Sequence, residues 1–552
     1  MKAPVDALVI GAGPVGLAMA IELVRHGLTC RIIDKNEGRT DKSKALTLWS
    51  RSLEALDDMV GAAPFLAAGM PAHAAAMYAD GKRLVHTTFD GLESPYPYSL
   101  MIPQSETERV LEEQLAARGV TVERRTEAIS IRPDADGVTA TIRHADGSEE
   151  TLRTPWLLGC DGAHSTTRHE LGIEFSGEVE PNDWILADAC VHGPLPSDEI
   201  SVFWHRKGVI AFFPIAPGRF RLVADVGFAR GMEHPPDPTL EQAQAALDER
   251  GPGGLTLSDP FWLAGFRIHE RKVKSYRHGR VFLAGDAAHI HSPAGGQGMN
   301  TGLQDAYNLG WKLGLFHAGR AREVLLDSYD VERSAVGEVV LRNAAAMTRV
   351  ATLRNPIAQE LRKRIVPLLA SFDLVRAKMA STMAELEIDY GASPICGEQR
   401  GVAATSWLLG YGVKQGSRAP DASLVDAASG KPTQLFDVLR GTRHVLLAFG
   451  GLSGADASAI SRLVGGAREV AARFGGLVEP CLVHAGASAP AGVDGGVRVL
   501  LDPEQTMHRR YAAGHETLYL IRPDGYVGHR SQPADADALR AHLEGYLVPS
   551  AT

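Results

Sequence analysis

The chain has 552 residues, with 57 Lys and Arg against 66 Asp and Glu, which gives a formal net charge of −9. This length is too great for one hydrophobic core and predicts two or three domains, while the acidic balance argues against a nucleic-acid partner. The five cysteines are far apart and form no Cys-x-x-Cys pair, so we expect a reducing, cytoplasmic location, no disulfides and no metal site.

The first segment of the chain combines an apolar strand at residues 6–10, a helix at 15–26 and a second strand at 29–33. Glycines interrupt the apolar run at residues 5–24, so a strand followed by a helix explains this run better than a signal peptide does. No other stretch approaches about 20 uninterrupted apolar residues, and we therefore expect no membrane span.

A GxGxxG fingerprint joins the first strand to the helix. Gly11 permits the tight turn, Gly13 lets a pyrophosphate approach, and Gly16 lets the helix pack on the strand. Asp34 ends the second strand, where an acid that binds a ribose 2′-hydroxyl belongs, which favours the unphosphorylated ribose of FAD or NAD. The predicted cofactor-binding residues of this segment are Gly11, Gly13, Pro14, Gly16, Asp34 and Lys35.

A second candidate segment follows the predicted strand at residues 156–158 and contains Asp161 and Gly162. Taken alone it is an ordinary Asp-Gly turn, but its position between two other glycine-rich segments favours a cofactor role. After it, residues 185–226 are rich in strand formers, aromatics and Pro or Gly punctuation. This composition predicts an antiparallel sheet inserted between the cofactor-binding segments.

The inserted sheet offers aromatic and polar side chains to a substrate. Because side chains alternate along a strand, one of the neighbours Phe212 and Phe213 faces the cofactor, and a core role for both is left open. His205 can act as a base towards a phenol, although a lone His is more often structural. The candidate substrate residues are Trp204, Phe212 and Phe213, and the candidate catalytic residues are His205, Arg221 and Pro293.

The third segment, residues 285–313, follows a short apolar strand and leads through a glycine-dense loop into a helix that begins near residue 300. Asp286 can accept hydrogen bonds from a ribose or ribityl hydroxyl, and the helix N-terminus can stabilise negative charge on a reduced ring. We interpret His289 as a packing or polar-network residue. The predicted cofactor-binding residues here are Gly285, Asp286, Pro293, Gly296, Gly298, Met299 and Asn300.

The C-terminal third has a different pattern. Residues 304–388 are mostly helical in pattern, and residues 416–421 form a predicted linker. Beyond it come a buried strand at 444–449, a helix at 455–474, strands at 496–501 and 517–521, and a final helix at 534–547. This order predicts a small α/β domain.

The motifs GAGPVG, GCDGAHS and GDAAHIHSPAGGQGMNTGLQDA, in this order and spacing, resemble the single-component FAD-dependent aromatic hydroxylases of the p-hydroxybenzoate and phenol hydroxylase type. By analogy, Lys44 stands where this family often has an Arg near the pyrophosphate, and Gln104 stands where a Gln contacts FAD. Lys for Arg keeps the charge but loses the bidentate fork. Asp161 and Gly162 would then contribute to flavin and nicotinamide interactions.

The resemblance implies an α/β fold: a Rossmann-like FAD-binding domain with an inserted antiparallel-sheet substrate domain, a helical connector and a C-terminal thioredoxin-like domain. The expected limits are residues 1–178 (with an insertion near 75–100), 179–279, 280–396 and 397–552. Where thioredoxin has its active cysteines, this chain has Gly451-Leu452-Ser453-Gly454. We therefore expect a structural or dimer-supporting role for that domain instead of disulfide exchange.

The resemblance also implies the chemistry. NADPH or NADH, docked transiently because no second GxGxxG follows a strand, would reduce FAD; dioxygen would add at flavin C4a, and the hydroperoxide would hydroxylate a phenolic or polycyclic aromatic substrate. Two alternatives stay open from the sequence. The same fold can perform Baeyer–Villiger, epoxidising or drug-inactivating oxygenation, or the chain can be a non-catalytic flavin redox or binding protein. A homodimer is equally left open.

Overall fold

The computed structural model describes residues 4–228, 235–401, 407, 410–452, 456–491, 493 and 496–550. Two compact units are present, and both mix strands with helices, as the sequence predicts. The first unit comprises Met1–Ile21, Thr29–Ala306 and Ser334–Leu386; the second comprises Glu22–Leu28, Tyr307–Arg333 and Glu387–Thr552. Within the described ranges, no helix combines the length and the hydrophobicity that a bilayer crossing requires.

The elements up to residue 170 are β1 (Ala7–Ile10), α1 (Pro14–Arg25), β2 (Cys30–Ile33), β3 (Thr47–Leu48), α2 (Ser50–Val60), α3 (Ala63–Ala68), β4 (Met70–Ala72), β5 (Ala74–Ala79), β6 (Lys82–Thr88), β7 (Ser99–Met101), α4 (Gln104–Ala116), β8 (Val122–Glu123), β9 (Glu127–Pro133), β10 (Val138–Arg143), β11 (Glu149–Thr154), β12 (Trp156–Gly159) and α5 (Thr166–Glu170). The predicted strand–helix–strand at the start of the chain is therefore confirmed within one or two residues.

The next elements are β13 (Ser176–His192), β14 (Glu199–His205), β15 (Gly208–Ala216), β16 (Arg219–Phe228), α6 (Leu240–Arg250), β17 (Thr256–Lys272), β18 (Arg277–His278), β19 (Val281–Leu283), a 3-10 turn (Gly285–Ala287), β20 (His289–Ile290), α7 (Gly298–His317), α8 (Glu323–Ala351), α9 (Pro356–Ala370) and α10 (Asp373–Met383). The C-terminal elements are β21 (Gly397–Arg400), β22 (Ser423–Asp426), β23 (Pro432–Gln434), α11 (Leu435–Leu439), β24 (His444–Phe449), α12 (Ala457–Arg473), β25 (Val478–His484), β26 (Arg498–Leu501), α13 (Thr506–Arg510), β27 (Thr517–Ile521), β28 (Val527–Gln532) and α14 (Ala536–Glu544).

A six-stranded sheet, ordered β18-β19-β12-β1-β2-β8, brings the three glycine segments together. β19, β12 and β1 are parallel neighbours, and each runs directly into one of the segments. Because the carboxyl ends of parallel strands meet at one edge of a sheet, segments far apart in sequence share that edge. β1 and β12 are buried along their whole length, which explains their continuous apolar sequences.

An eight-stranded sheet, ordered β20-β17-β13-β16-β15-β14-β5-β6, forms the inserted layer, and apart from the parallel pair β14–β5 its neighbours are antiparallel. The predicted antiparallel sheet at residues 185–226 is confirmed. Residues of α6 and one face of β13, β15 and β16 share a hydrophobic cluster. That face therefore belongs to the hydrophobic core, and a ligand can contact only the opposite face of the sheet.

The second unit contains a mixed sheet ordered β21-β28-β27-β24-β25-β26-β22-β23. Alternate residues of β24 enter two different clusters: Leu446 packs with α12 and α14, and Leu447 packs with α11 and α13. Both faces of β24 are thus covered, which explains its uninterrupted apolar sequence. Parallel central strands β24–β26 and an antiparallel β27–β28 hairpin give the α/β arrangement expected of the C-terminal domain.

Candidate active site

The glycine loop after β1 is shaped by two contacts that leave no room for a side chain. An ideal Cβ on Gly11 (φ +96°) would lie 2.4 Å from the carbonyl oxygen of Cys160, and one on Gly16 would lie 1.9 Å from that of Gly11. Gly13 differs, because its Cβ position is 4.0 Å from Glu108 Oε1. Gly11 and Gly16 therefore hold the loop together, whereas Gly13 leaves its outer side open to a ligand.

Asp34 closes the other side of this loop. Its carboxylate accepts the N–H of Ala12 at 2.7 Å and the N–H of Asn36 at 2.8 Å. Burial raises the pKa of the neighbouring Glu108, and the negative charge of Asp34 acts in the same direction. Two acids beside Gly13 favour hydroxyl donors at this point, which is what a ribose offers.

Residues 43–45 are held from two directions. The backbone N–H of Gln104 donates to Ser43 Oγ at 2.6 Å, and Gln104 Oε1 accepts the N–H of Ala45 at 3.1 Å. Arg221 of β16 donates to the carbonyl oxygen of Lys44 at 3.2 Å. The Lys44 side chain itself is exposed. Gln104 therefore holds residues 43–45 in place and so fixes the position of Lys44.

Asp161 is committed to its own loop. Its carboxylate accepts from Ser165 Oγ at 2.6 Å and from the N–H and Oγ1 of Thr167 at 2.9 and 3.0 Å, at the start of α5. The next residue, Gly162 (φ +77°), has nothing within 4 Å of its Cβ position. The structure thus places the open surface of this predicted pair on the Gly162 backbone and not on the Asp161 side chain.

The turn that carries Asp286 is fixed by a residue outside it. Asp305 of α7 accepts the N–H of Gly285 at 2.9 Å, and its Oδ2 lies 2.9 Å from His289 Nε2. Asp286 is exposed between buried neighbours, yet burial by the surrounding protein raises its pKa, against the opposing effects of His289 and Lys44. A carboxylate that is surrounded by protein and is still reached by solvent lies on a concave surface. Lys44 borders the same concave surface.

The two histidines that follow this turn contact other protein groups, which indicates a structural role. His289 is buried beside Asp305 and stacks on Tyr276 at 5.8 Å between ring centroids, which places it in the predicted polar network. His291 Nδ1 lies 2.8 Å from the carbonyl oxygen of Ser292, and burial lowers its pKa to about 4. Among the described residues, no group of three His, Cys, Asp or Glu side chains is arranged to hold a metal ion.

The glycine-dense loop and α7 are tied to the Thr47–Trp49 segment. Asn300 accepts the N–H of Trp49 at 2.8 Å and donates to the carbonyl oxygens of Thr47 and Gly296, both at 2.8 Å. Trp49 Nε1 donates to the carbonyl oxygen of Gly295 at 2.8 Å. The side-chain amide of Asn300 therefore bonds to protein groups. The groups that α7 offers to a ligand are instead its first backbone N–H groups, from Gly298.

The other predicted residues of this segment have mixed positions. Pro293 is exposed, Met299 is buried, and the Cβ position of Gly298 lies 3.6 Å from His291 Nε2. Gly296 has φ +65°, a left-handed conformation that suits glycine. Lys35 is exposed next to Asp34.

The face of the inserted sheet opposite α6 is apolar and only partly exposed. Val202, Phe213 and Ile215 on this face pack against a small cluster formed by Leu46, Ala72, Met101 and Ile200. Along β15, Ile210 and Phe212 are buried in the α6 cluster, whereas Ala211, Phe213 and Ile215 between them are partly exposed. In β14 and β16, Val202 and Val223 are likewise partly exposed between buried neighbours. This open sheet face is formed at its centre by Val202, Ala211, Phe213, Ile215 and Val223.

Three sequence-derived candidates therefore need correction. Phe212 is fully buried on the α6 side and is a core residue, so Phe213 alone of the aromatic pair lies on the open sheet face. Trp204 is buried in a cluster with Trp184 and is covered by the Arg362 guanidinium at 4.2 Å from its ring centroid. His205 lies on the α6 side by strand alternation, where burial lowers its pKa, so it does not face a substrate on the open face.

Arg221 is also not free to act in catalysis. Its Nε and Nη2 donate to the two carboxylate oxygens of Asp188 at 2.7 and 2.8 Å, in a buried bidentate pair. Its guanidinium lies 5.4 Å from the ring centroid of Trp262. With its third contact to Lys44, Arg221 connects the sheet to the 43–45 loop, which is a positioning role.

Comparison with known proteins decides the family. A family model described as "FAD binding domain" matches residues 4–344. A second, described as "Aromatic-ring hydroxylase, C-terminal", matches residues 413–548. The chain belongs to the FAD-dependent aromatic-ring hydroxylases.

The relatives of this hydroxylase cover nearly its whole length. The 6-methylpretetramide 4-monooxygenase of Streptomyces rimosus is 34% identical, over 99% of this chain and 94% of the relative. Pentachlorophenol 4-monooxygenase of Sphingobium chlorophenolicum is 31% identical, over 98% and 96%. The crystal structure of a ternary complex of aklavinone-11 hydroxylase with FAD and aklavinone matches with a TM-score of 0.76 at 26% identity, over 99% of both chains. The hydroxylase is therefore an FAD-dependent aromatic monooxygenase.

The described residues fit FAD. Gly13 is open beside the N-terminus of α1, which suits a pyrophosphate, and Asp34 and Glu108 suit ribose hydroxyls. The exposed Asp286 suits a further hydroxyl of the cofactor chain, and the N–H groups at the start of α7 suit an anionic ring edge. These groups lie in three segments that one sheet brings to a single edge.

Sequence reasoning missed Ser43, Trp49, Glu108 and Asp305. Glu108 and Asp305 are acids buried in helices α4 and α7, but polar helical neighbours such as Gln104 and Asn308 gave no sign of that burial. Ser43 and Trp49 carried no signal either, since their contacts are with residues about 60 and 250 positions away.

Proposed function

We propose that this hydroxylase uses NADPH or NADH and dioxygen to add one hydroxyl group to a phenolic or polycyclic aromatic substrate. The observation that carries the proposal is the open sheet face, which lies in the same unit as the three cofactor segments. Its central positions are apolar and partly exposed, so a flat ring system that reached them would bury apolar area there.

The chain's own residues divide the work of holding the cofactor. Gly13 and the α1 N-terminus would hold the pyrophosphate, Asp34 would accept from the ribose, and Asp286 would accept from a hydroxyl of the ribityl chain. When bound, FAD supplies the two-electron storage and oxygen activation that amino-acid side chains lack. The first N–H groups of α7 would stabilise negative charge at the ring edge. A single GxGxxG in the sequence supports a nicotinamide cofactor that docks transiently.

The open sheet face contributes positioning and exclusion of water. Phe213 offers an edge or face for aromatic contact, and Ala211 beside it leaves room for a ring. Water excluded from this surface cannot divert the activated oxygen. The names of the relatives support the substrate class, because they include a pretetramide and a chlorinated phenol, and aklavinone is bound in the solved complex.

Substrate-stimulated turnover tests the proposal. The purified protein should carry FAD and be yellow, and a panel of phenols, naphthols and larger polycyclic phenols should accelerate NAD(P)H oxidation. Product mass should increase by one oxygen, and the position of that oxygen distinguishes ring hydroxylation from ring expansion or epoxidation. Tight FAD binding without any substrate that stimulates NAD(P)H oxidation would instead indicate a redox or binding protein.

The assignment of Asp286 has its own test. Asp286→Ala removes an acceptor aimed at the cofactor, so we expect the FAD dissociation constant to rise by roughly 10-fold. Asp286→Asn retains an acceptor and should lose less. Asp248→Asn, a change on α6, serves as the control. An FAD affinity that is unchanged in Asp286→Ala, with normal turnover, would remove Asp286 from the site.

A further inference from the structure

A buried acid in a strained backbone conformation follows helix α10. Glu385 has φ +58°, in the left-handed region that favours glycine, and only 3% of its surface is exposed. An acid is rarely buried so completely unless it is paired, and a strained residue persists only where its surroundings determine its conformation. Both features indicate that the surroundings of Glu385 require an acid at this position.

The carboxylate of Glu385 contacts the first two turns of α7. Its Oε1 lies 2.9 Å from Thr301 Oγ1, and its Oε2 accepts from Gln304 Nε2. Thr301 Oγ1 is also 3.0 Å from the carbonyl oxygen of Gln297. The single hydrogen of this hydroxyl goes to the stronger acceptor, which is an ionised carboxylate. Each carboxylate oxygen of Glu385 therefore has a donor on α7.

The residues just before Glu385 hold the loop that leads into the same helix. Gln297, which precedes α7, donates from Nε2 to the carbonyl oxygen of Thr382 at 3.0 Å. The N–H of Arg51, in the first turn of α2, donates to the carbonyl oxygen of Ala384 at 3.2 Å. Residues 382–385 therefore fix both the loop before α7 and the first turns of α7, and all of these residues belong to the first unit.

Glu385 is close enough to the start of α7 to act there through its charge. With a rise of about 1.5 Å per residue, Thr301 and Gln304 lie about 4.5 and 9 Å along the axis from Gly298. The start of a helix has a partial positive charge. A buried negative charge about 10 Å away opposes it, and it disfavours the addition of one negative charge to a ligand at that point by roughly tenfold.

We propose that Glu385 is a positioning residue for bound FAD: it fixes the start of α7 and, through its negative charge, lowers the reduction potential of the flavin. Reduction adds negative charge to the ring, and the N–H groups of α7 alone would favour the reduced form more strongly. The flavin is thus a stronger electron donor with Glu385 in place. This inference rests on the position of the ring edge at α7, which is part of the proposed function.

Glu385→Gln tests this role because it removes the charge and keeps the shape. Gln304 Oε1 is buried without a hydrogen-bond partner among the described residues, so it can accept from the new amide group. We expect the midpoint potential of bound FAD to rise by at least about 30 mV, which is a tenfold change in the ratio of reduced to oxidised flavin for a two-electron couple. Spectroelectrochemical titration of the FAD-loaded protein measures this potential without any substrate.

Two variants distinguish charge from packing. Glu385→Asp keeps the charge, so its potential should stay near that of the wild type even if its melting temperature falls. Glu199→Gln removes another buried acid, which bonds to Tyr78 and His86 in the inserted sheet, and it should leave the potential unchanged. A Glu385→Gln protein that melts earlier but keeps the wild-type potential would show a structural role only, and the proposal would fail.

If Glu385→Gln does not fold, Gln304→Lys replaces it. A cation beside the carboxylate cancels its charge, so the potential must again rise, and an unchanged potential in the loaded variant overturns the proposal. The FAD affinity of Asp286→Ala then shows how far the failure extends. If that variant binds FAD more weakly, only the role of Glu385 is lost; if its affinity is also unchanged, the proposed position of the cofactor fails as well.

Discussion

A single buried carboxylate controls the turn that carries Asp286. Asp305 has no exposed surface, and it binds both the first residue of the turn, Gly285, and the residue that ends it, His289. Loss of its negative charge would leave these donors without an equivalent acceptor. Asp305 therefore acts on the cofactor through backbone position and not through contact.

We expect Asp305→Asn to raise the FAD dissociation constant by roughly 10- to 100-fold, because a hydrogen bond to a charged group contributes about 1.5–3 kcal/mol. Fluorescence titration of the apoprotein with FAD measures this change. Asp327→Asn, on the surface of α8, is the control. Because the role is one of positioning, the flavin absorbance spectrum should also shift; a variant that only lost stability would keep the wild-type spectrum once loaded.

The adjacent residues Phe212 and Phe213 form an internal control. Phe213→Ala removes apolar contact on the open sheet face, so KM for the aromatic substrate should rise about 10-fold, while the unfolding free energy should fall by less than in Phe212→Ala because Phe213 is only partly buried. Phe212→Ala empties a site in the α6 cluster and should cost about 3–5 kcal/mol of unfolding free energy. Steady-state kinetics and thermal melts distinguish the two. Equal effects of both changes on KM would contradict the assignment of faces.

At this scale the sequence predicted backbone roles better than side-chain roles. Gly11, Gly13 and Gly16 lie where the fingerprint requires, because the turn and the helix packing dictate them locally. Asn300 and Arg221 were predicted to contact ligands, but their polar groups are occupied by protein. Those partners lie on other strands and helices, and periodicity along one segment contains no information about them.

Among the elements, local patterns located most strands and helices. The buried strand β24 was predicted at its observed limits, and α12 was predicted within about two residues of its ends. The β5–β6 hairpin joins the inserted sheet through β14, which pairs with β5 in parallel. That pairing bridges more than a hundred residues, so the sequence indicated an insertion near residues 75–100 but not the sheet it enters.

A buried ion network joins elements of the second unit. Glu332 of α8 accepts from Lys312 of α7 at 2.7 Å and from Arg522, which follows β27, at 2.7 and 2.9 Å, and none of the three side chains is exposed. Arg522 and Lys312 lower the pKa of Glu332 against the effect of burial, so it stays ionised. Asp524 also pairs with Arg522. The residues of this network lie far apart in the sequence, and their pairing was not predicted.

Removing the carboxylate of Glu332 should destabilise the second unit strongly. Glu332→Gln leaves two buried cations without their shared partner, and breaking a buried pair in this way costs about 3–5 kcal/mol. Chemical denaturation monitored by tryptophan fluorescence measures the change. Glu338→Gln, at an exposed position of the same helix, should change the unfolding free energy by less than about 0.5 kcal/mol. A loss of similar size in both variants would contradict the importance of the network.

At the scale of the whole molecule, buried histidines make stability depend on pH, and three of them lie in the second unit. Burial lowers the pKa of His444 and His529 to about 3 and that of His542 to about 4. His529 and His542 are adjacent, with ring centroids 4.8 Å apart, and each opposes protonation of the other. His444 lies 3.1 Å from the hydroxyl of Tyr546 and near the opposing charges of Arg522 and Asp524.

The sign of the pH dependence follows from these depressed values. In the unfolded chain a histidine has a pKa near 6.5. Between about pH 6.5 and 4 these three histidines and His291 therefore bind up to four more protons in the unfolded state than in the folded state. The stability that the neutral histidines provide is complete above about pH 6.5 and falls with decreasing pH, by up to about 1.4 kcal/mol per pH unit for each histidine. Titration of carboxylates adds to this loss below about pH 5.

We therefore expect the unfolding free energy of the wild type to fall steeply between pH 6.5 and 5, where carboxylates contribute least. The double variant His529→Gln/His542→Gln removes two of the four histidines whose pKa burial lowers to about 4 or below, so it should start less stable at pH 7.5 but lose roughly half as much over that interval. Chemical denaturation at several pH values measures both slopes. His192→Gln, an exposed histidine, should leave the wild-type slope unchanged, and an unchanged slope in the double variant would show that these rings do not set the acid limit.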